Sequence, residues 1–173
     1  MSHTTRRWFQ LALAAVAVLA LSACSGGTVA MTPAPDARAV GCADVSVRLP
    51  DVLGEGTSTQ LQQRPTNAQA TGAWGNPAAV LLWCGVQAPG PTTQECVEVN
   101  GVDWIIDDSN APKYRFTTFG REPTVTVVLD NTVVSGTTVI TDLSQAVSVT
   151  QKIDQCLSLA DVPTPTPTPS PTG

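Results

Sequence analysis

The chain is expected to fold as an α+β domain: an antiparallel β-sheet of four or five strands, one or two helices packed on one face, and two disulfides. Three observations lead there. Short runs rich in β-branched and aromatic residues recur between residues 78 and 129, with Asn100-Gly101 between two of them. One stretch after Thr141 has helical periodicity. Two cysteines fall inside this region and one lies on either side of it, in a chain whose start looks like an export signal.

From the start of the domain, Val45, Leu49 and Val52 fit helical spacing, while Val45-Ser46-Val47-Arg48-Leu49 alternates like a strand. A short helix ending before Pro50 is expected, because the residue before proline avoids the helical region. Residues 54–73 are polar and rich in Gln, Thr and Gly, which reads as a long loop. Trp74-Gly75-Asn76-Pro77 then makes a turn into the apolar run Ala78 to Cys84, a strand. The clearest local signal is Val97-Glu98-Val99-Asn100-Gly101-Val102-Asp103-Trp104. Asn-Gly between alternating runs favours the two-residue turn of a β-hairpin, which sets Val99 opposite Val102 and Val97 opposite Trp104. With period two these four and Ile106 share a core face, leaving Cys96, Glu98, Asp103 and Ile105 on the other. Glu98 and Asp103 then oppose each other as like charges, unless a cation such as Arg115 intervenes.

Tyr114 to Phe119 and Thr124 to Leu129 are two further strands, joined through Gly120-Arg121-Glu122-Pro123. Asn131 to Ile140 is β-branched but interrupted by Ser135-Gly136, and reads as a strand or a loop. A helix follows, with Asp142 as N-cap, Gln145 three residues on, and Leu143, Ala146, Val147, Thr150 and Ile153 as its buried stripe.

Ahead of the domain stand Arg6 and Arg7, an apolar run from Leu11 to Leu21, and Leu21-Ser22-Ala23-Cys24. This is the tripartite form of an export signal. Its 11 apolar residues would make a helix of roughly 16 Å, short of a hydrocarbon core of about 30 Å, so a spanning helix is disfavoured. Leu21-Ser22-Ala23-Cys24 resembles a bacterial lipobox at all four positions. That resemblance implies a diacylglyceryl group on the Cys24 sulfur, cleavage before Cys24, and acylation of the new amine. Two or three acyl chains hold a protein firmly where one anchors marginally. The expected location is therefore the outer face of the cytoplasmic membrane, lipid-anchored. Thr5-Arg6-Arg7-Trp8-Phe9 also resembles the start of a twin-arginine motif, with Gln10 in place of the usual leucine. The expected organisation is a signal peptide over 1–23, a flexible tether over 24–40, one domain over 41–161, and a disordered Thr/Pro-rich tail over 162–173.

Composition narrows the function. Fourteen acids face nine bases, and loss of Arg6 and Arg7 takes the net charge from −5 to −7, a sign that argues against nucleic acid and against binding anionic headgroups. The one histidine, His3, lies in the signal segment. A mature chain without it cannot build Ser-His-Asp or Cys-His catalysis or the usual catalytic zinc sites, so no cofactor or metal is expected. With Cys24 assigned to lipid, Cys42, Cys84, Cys96 and Cys156 remain, without a C-x-x-C pair. Of three possible connectivities the expected one is Cys84 with Cys96, tying adjacent strands, and Cys42 with Cys156, clamping the ends.

The tract Trp74-Gly75-Asn76-Pro77 through Cys84-Gly85-Val86, then Val99-Asn100-Gly101-Val102-Asp103-Trp104, then Phe116-Thr117-Thr118-Phe119-Gly120-Arg121 resembles a family of small actinobacterial lipoproteins catalogued only as a domain of unknown function. The resemblance implies an envelope location and carries no activity and no site residues. Candidate binding residues rest on side-chain type alone: Trp74 with Arg115 and Arg121, an aromatic-plus-arginine set of the kind enriched at binding hot spots. Trp83 and Trp104 are expected in or at the edge of the core. Asp107-Asp108-Ser109-Asn110 reads as a solvated turn, since it lacks the spacing of a calcium loop.

These features point to a membrane-anchored, non-enzymatic binding or interaction module with an envelope protein or glycan as partner. The alternatives are a histidine-free enzyme acting on cell-wall material through carboxylates such as Glu98 and Asp103, or a small-ligand carrier.

Overall fold

A computed structural model describes residues 27–90 and 92–157. The signal segment, Cys24 and the Thr/Pro tail lie outside the described residues.

Alternation in the apolar runs produces strands wherever the notched sequence leaves one face to bury. In chain order the elements are α1 (Val40–Ser46), β1 (Val52–Leu53), β2 (Leu61–Arg64), β3 (Thr71–Trp74), β4 (Val80–Val86), β5 (Cys96–Val99), β6 (Val102–Asp107), β7 (Lys113–Thr118), β8 (Arg121–Glu122), β9 (Thr124–Asp130), α2 (Gly136–Val147) and β10 (Gln151–Lys152). Eight strands form one antiparallel sheet in the order β1-β2-β3-β4-β9-β7-β6-β5, and β10 pairs with β8 in a small second sheet. The domain is therefore mostly β, which corrects the expectation of an α+β fold with a four- or five-stranded sheet. The five expected strands are present as β4, β5, β6, β7 and β9. The other three, β1 to β3, arise largely from the stretch expected to be a loop. Leu61-Gln62-Gln63-Arg64 and Thr71-Gly72-Ala73-Trp74 have too few apolar residues to show a period. Backbone pairing of β3 with the strongly apolar β4 draws them into the sheet.

Both helices cover one face. Val80, Leu82 and Cys84 from β4, Val125, Val127 and Leu129 from β9, Phe116 from β7, and Val102 and Trp104 from β6 meet Val45 of α1 and Val139, Ile140, Leu143 and Val147 of α2. Helix α2 starts seven residues earlier than expected, at Gly136, where the Asn131 side chain accepts from the Gly136 N–H. Asp142 is consequently inside the helix and accepts from the Gly54 N–H at 2.7 Å, fastening the loop after β1. Thr150 and Ile153 fall beyond the helix end, Thr150 buried and Ile153 59 % exposed.

The Asn-Gly hairpin forms in the expected register, Val99 opposite Val102, Glu98 opposite Asp103 and Val97 opposite Trp104. Asn100 and Gly101 take φ of 52° and 78°, the left-handed pair that this turn demands.

The disulfides pair differently from expectation: Cys42 with Cys84 and Cys96 with Cys156, at Cα separations of 5.5 and 6.2 Å. Strand order explains the correction. β4 and β5 are four interstrand spacings apart, about 19 Å, whereas a disulfide spans at most about 7 Å between Cα atoms. Cys42 and Cys84 meet on the helix-covered face, while Cys96 alternates onto the opposite face, where Cys156 joins it.

Candidate functional site

Chain ends wrap this sheet. The N-terminal strap, residues 27–39, is fastened to the face away from the helices rather than hanging as a flexible tether. Val29 bridges Thr66, the Met31 N–H donates to the Asn67 side chain, and the Trp83 indole N–H donates to the Thr32 carbonyl at 3.1 Å. It rounds the sheet end at Gly85, where the Asp36 N–H donates to the Gly85 carbonyl at 2.9 Å, and enters α1 on the other face. The C-terminal strap, residues 148–157, leaves α2 and rounds the same sheet end in the opposite sense. Ile153 and Asp154 both donate to the Gly120 carbonyl, and Cys156 is bonded to Cys96.

Gly85 and Gly120 are where the straps cross. Both have positive φ, 86° and 61°, and a β-carbon on either would collide with strap backbone, at Asp36 and Asp154 respectively. The C-terminal strap also buries Asp103 and Ile105, the residues of β6 expected on an open face. Asp103 is 5 % exposed and pairs with Lys152 at 3.7 Å, so the cation opposite the Glu98/Asp103 pair is Lys152 rather than Arg115. Glu98 accepts from the Gly101 N–H at 2.7 Å and so serves its own turn.

Between the straps lies a cleft of about 800 Å³. It is lined by Pro35, Asp36 and Arg38 of the N-terminal strap, by Val86, Arg121, Glu122 and Pro123 of the sheet end, and by Ile153 of the C-terminal strap. The exposed Ile153 gives the cleft an apolar contact on the surface, and Asp36, Arg38 and Glu122 supply charges of both signs. Among the described residues, none that lines it is aromatic. Smaller concavities of about 400 and 250 Å³ lie beside Cys96–Cys156 and at the far end of β4.

The three candidate binding residues are not brought together. Trp74 is fully buried on the helix-covered face and its indole donates to the Pro50 carbonyl at 2.8 Å, which removes it from any surface. Arg121 is 7 % exposed. Its guanidinium donates to the carbonyls of Ser148, Thr150 and Gly101, joining the helix exit to the hairpin turn, so its donors hold the C-terminal strap beneath the cleft. Arg115 is exposed on β7, opposite Asp107 and Val128. Trp104 is buried as expected and donates to the Ser144 hydroxyl; Trp83 is half-buried under the N-terminal strap. In the acidic turn the Ser109 hydroxyl and backbone N–H beside Asp107 hold its carboxyl below the ordinary carboxylate value, with Arg115 adding to the effect. Thr132 does the same for Asp130, helped by Lys113. Cys96, Cys156 and Asp103 crowd together, but both sulfurs are committed to the disulfide.

The inter-strap cleft is the feature that sequence reasoning missed. The two straps that line it are over a hundred residues apart in the chain, and only Gly85 and Gly120 hint at where they converge. A family model matches residues 8–156, from within the expected signal segment through the last disulfide cysteine. The chain belongs to the family described as "Protein of unknown function (DUF3515)". Both straps, both crossing glycines and all four disulfide cysteines of this DUF3515 member fall within the matched span, and the Thr/Pro tail lies outside it. No curated protein and no solved structure matches the chain.

Proposed function

We propose that this DUF3515 protein is a lipoprotein of the cell envelope, acylated on Cys24 and held at the outer face of the cytoplasmic membrane, whose inter-strap cleft binds an extended segment of an envelope protein. The observation that carries the binding reading is the cleft itself. It is the largest of these three concavities, and Val86, Pro123 and Ile153 give it an apolar lining among a few charges, the usual make-up of a recognition site. The choice of polypeptide over glycan rests on the lining, since sugars are typically held against aromatic faces and none of the described lining residues is aromatic. The carboxylates suggested for hydrolysis do not favour an enzyme. Asp103 is buried against Lys152 and Glu98 is spent on its turn.

The test is photocrosslinking in intact cells from a probe at Val86, with recovery through the Cys24-anchored form. One stoichiometric protein partner is expected, lost on Ile153→Asp, a change at an exposed residue that leaves the fold intact. Recovery of no partner across several crosslinkers, or of a partner indifferent to Ile153→Asp, would reject the cleft. Turnover of an envelope substrate, abolished by a single-site change, would reject the non-enzymatic reading.

A further inference from the structure

We infer that the bilayer itself is a docking surface for one side of this domain: the N-terminal strap over 27–35 and the β2–β3 connection over 65–70 lie against the membrane, and the acid-rich half faces away. This rests on the acylation of Cys24 proposed above.

The first argument is the length of the leash. The Arg64 guanidinium donates to the Gly27 carbonyl at 2.6 Å, and Val29 is bridged to Thr66. Only three residue steps separate Cys24 from Gly27, at most about 11 Å of fully extended chain. A domain of this size is about 35 Å across, so an acyl group on Cys24 cannot lift it clear of the headgroups. The side that carries Gly27 is pressed towards them.

The second argument is where the charges are. The sign of the whole chain opposes contact with anionic headgroups, yet its carboxylates are not evenly placed. Residues 25–35 carry no charge, and 56–94 hold no acid and one base, Arg64. Strands β2, β3 and β4 with their connections thus contribute no carboxylate of their own, and the nearest acids are Asp51 and Glu55 at the β1 edge and Asp36 where the strap crosses Gly85. Five of the fourteen acids, Glu95, Glu98, Asp103, Asp107 and Asp108, lie on or next to β5 and β6, at the other end of the strand order. β2 and β5 are six interstrand spacings apart, about 29 Å, several Debye lengths at physiological salt. Thr28, Ala30, Thr32, Asn67 and Gln69 are the exposed, neutral side chains of the apposed side.

The chain has only two lysines, Lys113 and Lys152, and both lie in the acid-rich half. This makes amine labelling a direct readout. The full-length chain carrying Gln69→Lys, purified from membranes, is reconstituted in vesicles of phosphatidylcholine and phosphatidylglycerol and exposed to a membrane-impermeant acylating reagent. Intact mass reads the Cys24 lipid, and peptide mass reads each amine. We expect the Gln69→Lys amine to be labelled several-fold less than Lys113 and Lys152. A long Gly-Ser linker inserted between Ser25 and Gly26 should restore its labelling. Protection that survived the linker would also support the docking, assigning it to the surface as well as the leash. Equal labelling of all three amines on a chain whose Cys24 lipid is present would overturn the orientation and leave the anchor standing, as would protection of all three. A chain without the lipid would overturn both.

Discussion

Asp107 and Asp130 illustrate how much of this surface is local chemistry. Each opens a turn and accepts the backbone N–H of the residue two positions on, from Ser109 and Thr132, at 3.0 Å. The Ser109 and Thr132 side-chain hydroxyls first, and those N–H groups after them, favour the charged carboxylate and lower its pKa in the folded chain from the ordinary 3.8. A depressed folded value means that the stabilisation is complete above the unfolded pKa and is lost as pH falls through the folded one. Thr132→Val should therefore lower the unfolding free energy at neutral pH. The gap to the unsubstituted chain should close below 3.8, in denaturant titrations run across that range. A gap independent of pH would refute the assignment. The first turn was read from the sequence, in Asp107-Asp108-Ser109-Asn110; the second was not, because the β-branched residues after Asn131 left strand and loop both open. Arg121 is the opposite case: its three carbonyl partners lie 20 to 29 residues away, and nothing in Gly120-Arg121-Glu122-Pro123 distinguishes a surface arginine from a buried one.

At the scale of elements, the straps make the domain more than a sheet with two helices. Each is fixed where a glycine lets backbone pass over backbone, and each covers polar or aromatic groups that the sheet alone would expose, Trp83 on one side and Asp103 with Ile105 on the other. Gly85→Ala is expected to cost more than the about 1–2 kcal/mol of left-handed strain, because the new β-carbon also displaces Asp36. Hydrogen exchange should then rise at the Asp36 N–H, which donates to Gly85, and stay unchanged in β6 and β7. Exchange that rose uniformly would mean the strap is not an independent element. The β5–β6 hairpin and strands β4, β7 and β9 were legible, since alternation and turn residues are properties of neighbours in the chain. β2 and β3 were not, because their apolar content is too low to carry a period and their pairing partners supply the reason they are strands.

For the whole molecule, the disulfides report the topology. Cys42–Cys84 closes 42 residues and ties α1 to the sheet; Cys96–Cys156 closes 60 and ties the C-terminal strap to edge strand β5. On the chain-entropy model each closure contributes about 4 kcal/mol, a large share of a typical domain's stability. Replacing Cys96 and Cys156 together by alanine should lower the unfolding free energy by about that amount. A non-reducing peptide map of the unsubstituted chain should return these two linkages, and recovery of Cys84 linked to Cys96 would refute the strand order. What the sequence by itself determined was whatever depends on short separations: the hairpin and its register, five strands, and the presence of a helix through Leu143 to Val147 though not its start. The tertiary structure decided the eight-strand order, the cysteine pairing, the burial of Trp74 and Arg121, and the cleft between the straps. Each of those depends on which distant segments become neighbours. β9 returns to lie beside β4 and pushes β5 to the far edge, a choice made by the packing of whole faces that no local pattern encodes.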